Sequence, residues 1–202
     1  REKTMYSIHD LKCPGCGAPQ DPGNKTCVYC GRPIVITSFG DMDSFTLPLL
    51  NKYSAAYNSA LAEDPENSAA LFSLGMCRLK LKLYPKASEA FEKAMSVEFD
   101  NADLYFYAAI ALLGGRKPFL APRRDIDKIE SYINAAISIE PKPIYYLLWS
   151  YVRYDYYFRK SFRVTPDYAE LLATARGSGL GSGDTDALFS ILGTPVPEVF
   201  AV

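Results

Sequence analysis

A chain of 202 residues, nearly half of them apolar and 13% aromatic, can form one or two domains with a buried core. A formal net charge of −1 argues against a general nucleic-acid or membrane-surface binder, which would need excess Lys and Arg to meet phosphates. The longest apolar stretch, around residues 102–113, is far short of the ~18–20 residues of a membrane span. Of five cysteines, four lie in two tight pairs and Cys77 stands alone, a usage that fits a reducing, cytoplasmic setting better than a disulfide framework. No secretory signal is visible. The first residue is Arg1 rather than Met, which keeps open a trimmed chain or a regulatory module of a larger assembly.

The segment LKCPGCGAPQDPGNKTCVYCGRP spells C-x2-C-x10-C-x2-C. Each C-x2-C turn offers two thiolates from one face, and zinc prefers four such soft ligands in a tetrahedron. The predicted metal ligands are therefore Cys13, Cys16, Cys27 and Cys30. Gly17 and Gly31 directly follow the second cysteine of each pair, where positive φ lets backbone N–H groups point at sulfur. Pro14 stiffens the first turn, and Pro19, Pro22 and Gly23 suit a tight return. These residues resemble the zinc-ribbon family with its CPxCG knuckles, over about residues 11–36. The resemblance implies one structural Zn²⁺ in a small β ribbon.

Two other readings of the cysteines stand beside it. A redox C-x2-C pair needs a low-pKa thiol at a helix N-terminus, and nothing helical is predicted after Cys16. Iron of rubredoxin type binds the same knuckles and stays open. A catalytic zinc would keep one position for water, whereas four cysteines fill the sphere. His9, the only histidine, is surplus to the set and is expected at the surface. Residues 1–40 carry five basic and three acidic side chains, too weak a positive field for nucleic acid.

Ile34, Val35 and Ile36 favour a strand that closes the ribbon's sheet. Residues 37–46 read as a linker. Helices are predicted at 47–63, 68–82 and 85–98, the last with Pro85 at its start. Others follow at 102–114 and 124–140, with GRKPFLAPRR inserted between them. The last two are predicted at 144–162 and 166–176, with Thr165 as N-cap before Pro166. GSGLGSG at 177–183 reads as a flexible linker, and ALFSIL at 187–192 as a short apolar tail.

A repeat runs through these helices. YNSALAEDPEN at 57–67 aligns with FEKAMSVEFDN at 91–101, every offset being 34, and INAAISIEP at 133–141 gives a third copy after an eight-residue insertion. A 34-residue period with Gly75, Ala87 and Ala94 at helix contacts resembles the tetratricopeptide (TPR) repeat. Leu71, Leu74 and Phe91 also stand at the family's packing positions, whereas Phe99 replaces a proline, Arg78 an aromatic and Tyr53 a small residue. The expected fold is mostly α, a TPR-like solenoid of helical hairpins over 47–176, with the ribbon either capping its N-terminal end or docking a partner of its own.

Such solenoids bind partners along a concave face lined by the first helix of each repeat. Helical spacing puts Phe72, Met76 and Leu79 there from the complete repeat. Phe106, Tyr107 and Ile110 follow from the next, and Tyr145, Trp149, Val152 and Tyr156 from the fourth. This lining favours an apolar helix or extended peptide. One branch of the family grips C-terminal carboxylates with Lys, Arg and Asn; Phe72, Met76, Tyr107, Tyr145 and Trp149 stand at the matching places and form no such clamp.

The aromatic, basic stretch 145–163 reads as core plus groove, although stacking of single-stranded nucleic acid uses similar residues. Arg116, Lys117, Arg123 and Arg124 read as a solvated loop, and Cys77 as a small core residue. No catalytic constellation is visible; Asp41 and Asp43 are close, but nothing brings a second reactive group to them. The expected function is a non-enzymatic protein–protein interaction adaptor or scaffold. Its partner is a protein or peptide, with the chain's own C-terminal tail or a second copy as candidates. A nucleic-acid-associated zinc-ribbon factor is the alternative.

Overall fold

A computed structural model describes residues 12–21 and 24–201 of the protein, so the expectations for His9, Pro22 and Gly23 lie outside the described residues. The fold is mostly helical, in two compact units that divide after Phe99. No helix among the described residues is long and apolar enough to cross a membrane.

The first unit holds α1 (Leu47–Glu63), α2 (Ser68–Lys80) and α3 (Tyr84–Val97). Prolines stand in the first turns of α1 and α3, where a missing N–H costs nothing. Asn67 caps α2 by accepting the Ala70 N–H at 3.0 Å. α2 is sandwiched between α1 and α3, and it is buried without interruption from Ala69 to Cys77. Gly75 makes the α2–α3 approach possible. A Cβ there would sit 2.6 Å from Cε1 of Phe91, whose ring is fully buried. Gly75→Ala is therefore expected to destabilise the protein by ~1–3 kcal/mol through overpacking, read as a lowered midpoint in urea unfolding.

The second unit holds α4 (Ala102–Leu113), α5 (Arg123–Ile139), α6 (Pro143–Val152), α7 (Tyr168–Gly177) and α8 (Ser182–Leu192). α4 packs on α5, and α6 packs on α5, α7 and α8. The insertion after α4 turns at Gly114, whose φ is +62°, and passes through a 3-10 turn at Pro118–Leu120.

The sequence repeat recurs as backbone chemistry. Asn101 caps α4 as Asn67 caps α2, accepting the Asp103 N–H at 3.1 Å. Asp64, Glu98 and Glu140 donate their N–H groups to the carbonyls of Ala60, Ala94 and Ala136 at 2.9, 2.8 and 2.9 Å. α1, α3 and α5 thus end in the same way at equivalent positions.

Several expectations are corrected. Residues 34–36 do not form a strand; the described part of the ribbon has a single bridge, between Thr26 and Pro33, and no sheet. The predicted helix 144–162 is α-helical only to Val152, then runs through a π turn (Arg153–Tyr157) and a 3-10 turn (Phe158–Lys160). α7 starts two residues beyond Pro166, because Asp167 rather than Thr165 caps it. The Asp167 carboxylate accepts from Ala169 and Glu170 at 2.8 and 2.9 Å, and Glu170 accepts the Asp167 N–H at 2.8 Å. Residues 177–183 contain a tight turn at Gly179, φ +95°, rather than a long linker, and α8 begins at Ser182. The tail segment 187–192 lies in α8, which packs Phe189 onto Tyr151 of α6 with ring centroids 5.0 Å apart.

The predicted groove lining is also corrected. Phe72, Met76, Leu79, Phe106, Tyr107, Ile110, Tyr145, Val152 and Tyr156 are buried, and Trp149 is half-buried. Neighbouring elements cover them. Phe72 packs on Phe91 and Phe106 on Tyr145, at 5.9 and 4.9 Å. Tyr145 donates its hydroxyl to Asp103 of α4 at 2.6 Å, and Lys142 reaches both oxygens of the same carboxylate at 3.1 Å. Trp149 donates Nε1–H to Glu130 of α5 at 3.0 Å. Helical spacing identifies a face correctly as apolar but does not say what covers it.

Candidate metal centre

The four predicted ligands converge. The sulfurs of Cys13, Cys16, Cys27 and Cys30 all lie within 4.8 Å of one another, with Cys13–Cys30 at 3.6 Å and Cys16–Cys27 at 3.7 Å. A disulfide needs ~2.05 Å, so the cysteines are free thiols. A tetrahedral ion with metal–sulfur bonds of ~2.3 Å spaces its sulfurs by ~3.8 Å, and the observed pairs fit that cage.

Two equivalent turns build the cage. Gly17 donates to the Cys13 carbonyl at 2.8 Å and Gly31 to the Cys27 carbonyl at 2.9 Å. Cys13 donates to Ala18 and Cys27 to Arg32, both at 2.8 Å. The glycines have φ of +81° and +68°, the left-handed conformation their place after the second cysteine suggests.

Burial pushes the Cys13 thiol up to about 12. Burial also works to raise the Cys27 thiol, but the N–H groups of Cys30 and Tyr29 and the neighbouring thiols outweigh it, and the net is a fall to about 6. A cation among the four sulfurs would favour the thiolate at each of them.

The residues that seat this cage are ones sequence motifs did not single out. Gln20 places Nε2 3.3 Å from the Cys27 sulfur. Lys52 of α1 donates to the Gly15 carbonyl at 2.8 Å. Tyr53 and Tyr57, also on α1, donate their hydroxyls to the carbonyls of Pro33 and Ile34, both at 2.7 Å. The Ile36 N–H donates to Ser73 Oγ of α2 at 3.0 Å. Ile34, Val35 and Ile36 are buried, so this extended segment serves as a strap across α1 and α2. The Ile34 carbonyl and the Ile36 N–H are used on helix side chains and the Ile34 N–H on the Lys25 carbonyl, which leaves no ladder for a strand. Tyr53 had one visible signal: a large aromatic where the repeat pattern takes a small residue.

The other singled-out residues have structural surroundings. Asp41 Oδ2 accepts the N–H groups of Thr37 and Ser38 at 2.8 and 2.9 Å, and Asp43 pairs with Lys80 at 3.4 Å. Cys77 is buried in α2, and burial pushes its thiol up to about 12. No known family model matches the chain, and no curated protein matches it either.

Proposed function

We propose that Cys13, Cys16, Cys27 and Cys30 hold one structural zinc ion, and that the protein is a non-enzymatic adaptor built on TPR-like helical hairpins. A closed set of four thiolates leaves no position for a reacting water, so the ion's contribution is folding energy and rigidity. The 34-residue period, with its matching caps at Asn67 and Asn101, supports the repeat reading.

One observation carries the adaptor reading: Val28 and Tyr29 are 75% and 72% exposed at the tip of the second knuckle. The two lie between the ligands Cys27 and Cys30, on a turn closed by the Gly31 N–H to the Cys27 carbonyl, and their side chains face solvent. An apolar pair on a turn pinned by a ligand at each end is pre-organised for a protein partner, with little entropy left to lose. The buried residues that helical spacing places along a groove form the core of the helical hairpins.

Affinity purification with mass spectrometry, wild type beside the double variant Val28→Ser and Tyr29→Ser, tests this. Truncating an aromatic hot spot typically costs at least ~2 kcal/mol, so the partner's affinity is expected to fall by about thirtyfold or more. Zinc content and circular dichroism are expected to stay unchanged. A partner captured equally by both proteins would contradict the reading.

A further inference from the structure

The second unit carries a segregated basic surface. Residues 114–124 hold four cations and no carboxylate, and residues 156–166 hold three and none. The fold brings the two segments together. The Phe119 N–H donates to Asp155 at 2.8 Å, and Arg159 and Lys160 lie over the Phe119 ring at 4.8 and 4.9 Å. Arg123 lies over Tyr157 at 5.2 Å, and Phe162 packs on the same ring at 6.5 Å.

Few carboxylates answer these charges. Asp125 pairs with Arg116 and Arg124, Asp127 with Arg123, and Asp155 with Arg159. Asp167 shares a cleft of about 300 Å³ with Arg163, Phe158 and Phe162, and is engaged in capping α7. Seven cations against these four acids leave three positive charges in excess, on a chain whose net charge is −1. Apolar side chains protrude among them: Leu120 is 68% exposed, Phe158 55% and Phe162 51%.

We propose that this face docks the protein on an anionic lipid surface. Leu120, Phe158 and Phe162 enter the boundary between headgroups and acyl chains, and the surrounding Lys and Arg meet lipid phosphates. The whole-chain charge hides this, because the excess is local. Single-stranded nucleic acid fits less well, since base stacking needs open ring faces beside cations. Of the three protruding side chains Leu120 has no ring to stack on and Phe158 already stacks on Tyr154 at 5.7 Å, and the Phe119 face is covered by Arg159 and Lys160. An acidic protein would favour anchors seated in desolvated pockets, whereas these three apolar side chains project into solvent.

The test is co-sedimentation of the whole chain with vesicles of phosphatidylcholine, with and without phosphatidylserine. Binding is expected only with phosphatidylserine and is expected to weaken as salt is raised. The double variant Lys117→Glu and Arg163→Glu touches charges that pair with no carboxylate among the described residues. It is expected to weaken partitioning by at least about a hundredfold. Leu120→Ser with Phe162→Ser is expected to weaken it by about tenfold or more with the helical circular dichroism retained. Equal binding to both vesicles, or charge reversal without effect, would overturn the proposal. So would absence from vesicles combined with retention on an oligothymidine strand or on polyglutamate, results that assign the face to nucleic acid or to an acidic protein.

Discussion

Chelating the proposed zinc, or replacing Cys27 with Ser, is expected to unfold residues 12–36 and to loosen the first unit well beyond them. The described residues of 12–36 have one bridge and no sheet of their own, and structural zinc contributes ~10–16 kcal/mol of apparent binding energy in small metal-dependent folds. Release also frees the strap. Ile34, Val35 and Ile36 each lose burial worth ~1.5–3 kcal/mol. The hydroxyls of Tyr53 and Tyr57 lose the carbonyls they donate to, at up to ~1–3 kcal/mol for each donor left dry. Hydrogen exchange read by mass spectrometry should therefore show faster exchange in residues 12–36, α1 and the Ser73 turn of α2. Helices α5 to α7, in the other unit, should keep their protection. Loss confined to the knuckles would mean that the strap holds without the metal.

The second large effect is expected at Glu130. Its side chain is 12% exposed and gathers two donors and one cation from residues 149–157. Trp149 donates Nε1–H to Oε1 at 3.0 Å, and Tyr157 donates its hydroxyl to Oε2 at 2.8 Å. Arg153, 13% exposed, places Nε 2.7 Å from Oε1 as an ion pair, with the N–H directed off that oxygen. Its guanidinium also lies over the rings of Tyr157 and Trp149, at 4.8 and 5.5 Å. Glu130→Ala would leave a largely buried guanidinium without its counter-charge and two donors without an acceptor. The expected loss is ~3–5 kcal/mol of stability, measured by denaturant unfolding. Glu130→Gln keeps an acceptor and removes the charge, so it should cost less. Equal, small losses for both variants would show that the network carries little energy.

The sequence and the fold agree where one residue type has one physical use. Cysteine spacing located the cage because zinc chemistry needs four thiolates from two turns. The glycines after each pair were legible because the turns need positive φ. Helix ends were legible to within a few residues where Pro, Asn and Gly mark them, as at Asn67 and Asn101. The strap was not. Ile34, Val35 and Ile36 have the composition of a strand, and the carbonyls of Pro33 and Ile34 find their partners in tyrosines some 20 residues away. The groove failed for a related reason. Phe106 and Tyr145 lie on helix faces that a short pattern marks as apolar, and only tertiary packing shows that each covers the other. The π turn at Arg153–Tyr157 lies outside any helix template, and it brings Arg153 and Tyr157 onto the same carboxylate. The basic face was visible as two charge runs, but only the fold joins them at Phe119.

Four cysteines are proposed to hold a closed, structural zinc cage that seats residues 12–36 on α1 and α2. X-ray absorption at the zinc edge, with metal analysis of the purified protein, tests it most directly. The expected result is one zinc per chain with four sulfurs at ~2.3 Å and no lighter ligand. Iron in place of zinc, a nitrogen or oxygen in the first shell, or metal-free protein with an unchanged ribbon would contradict it.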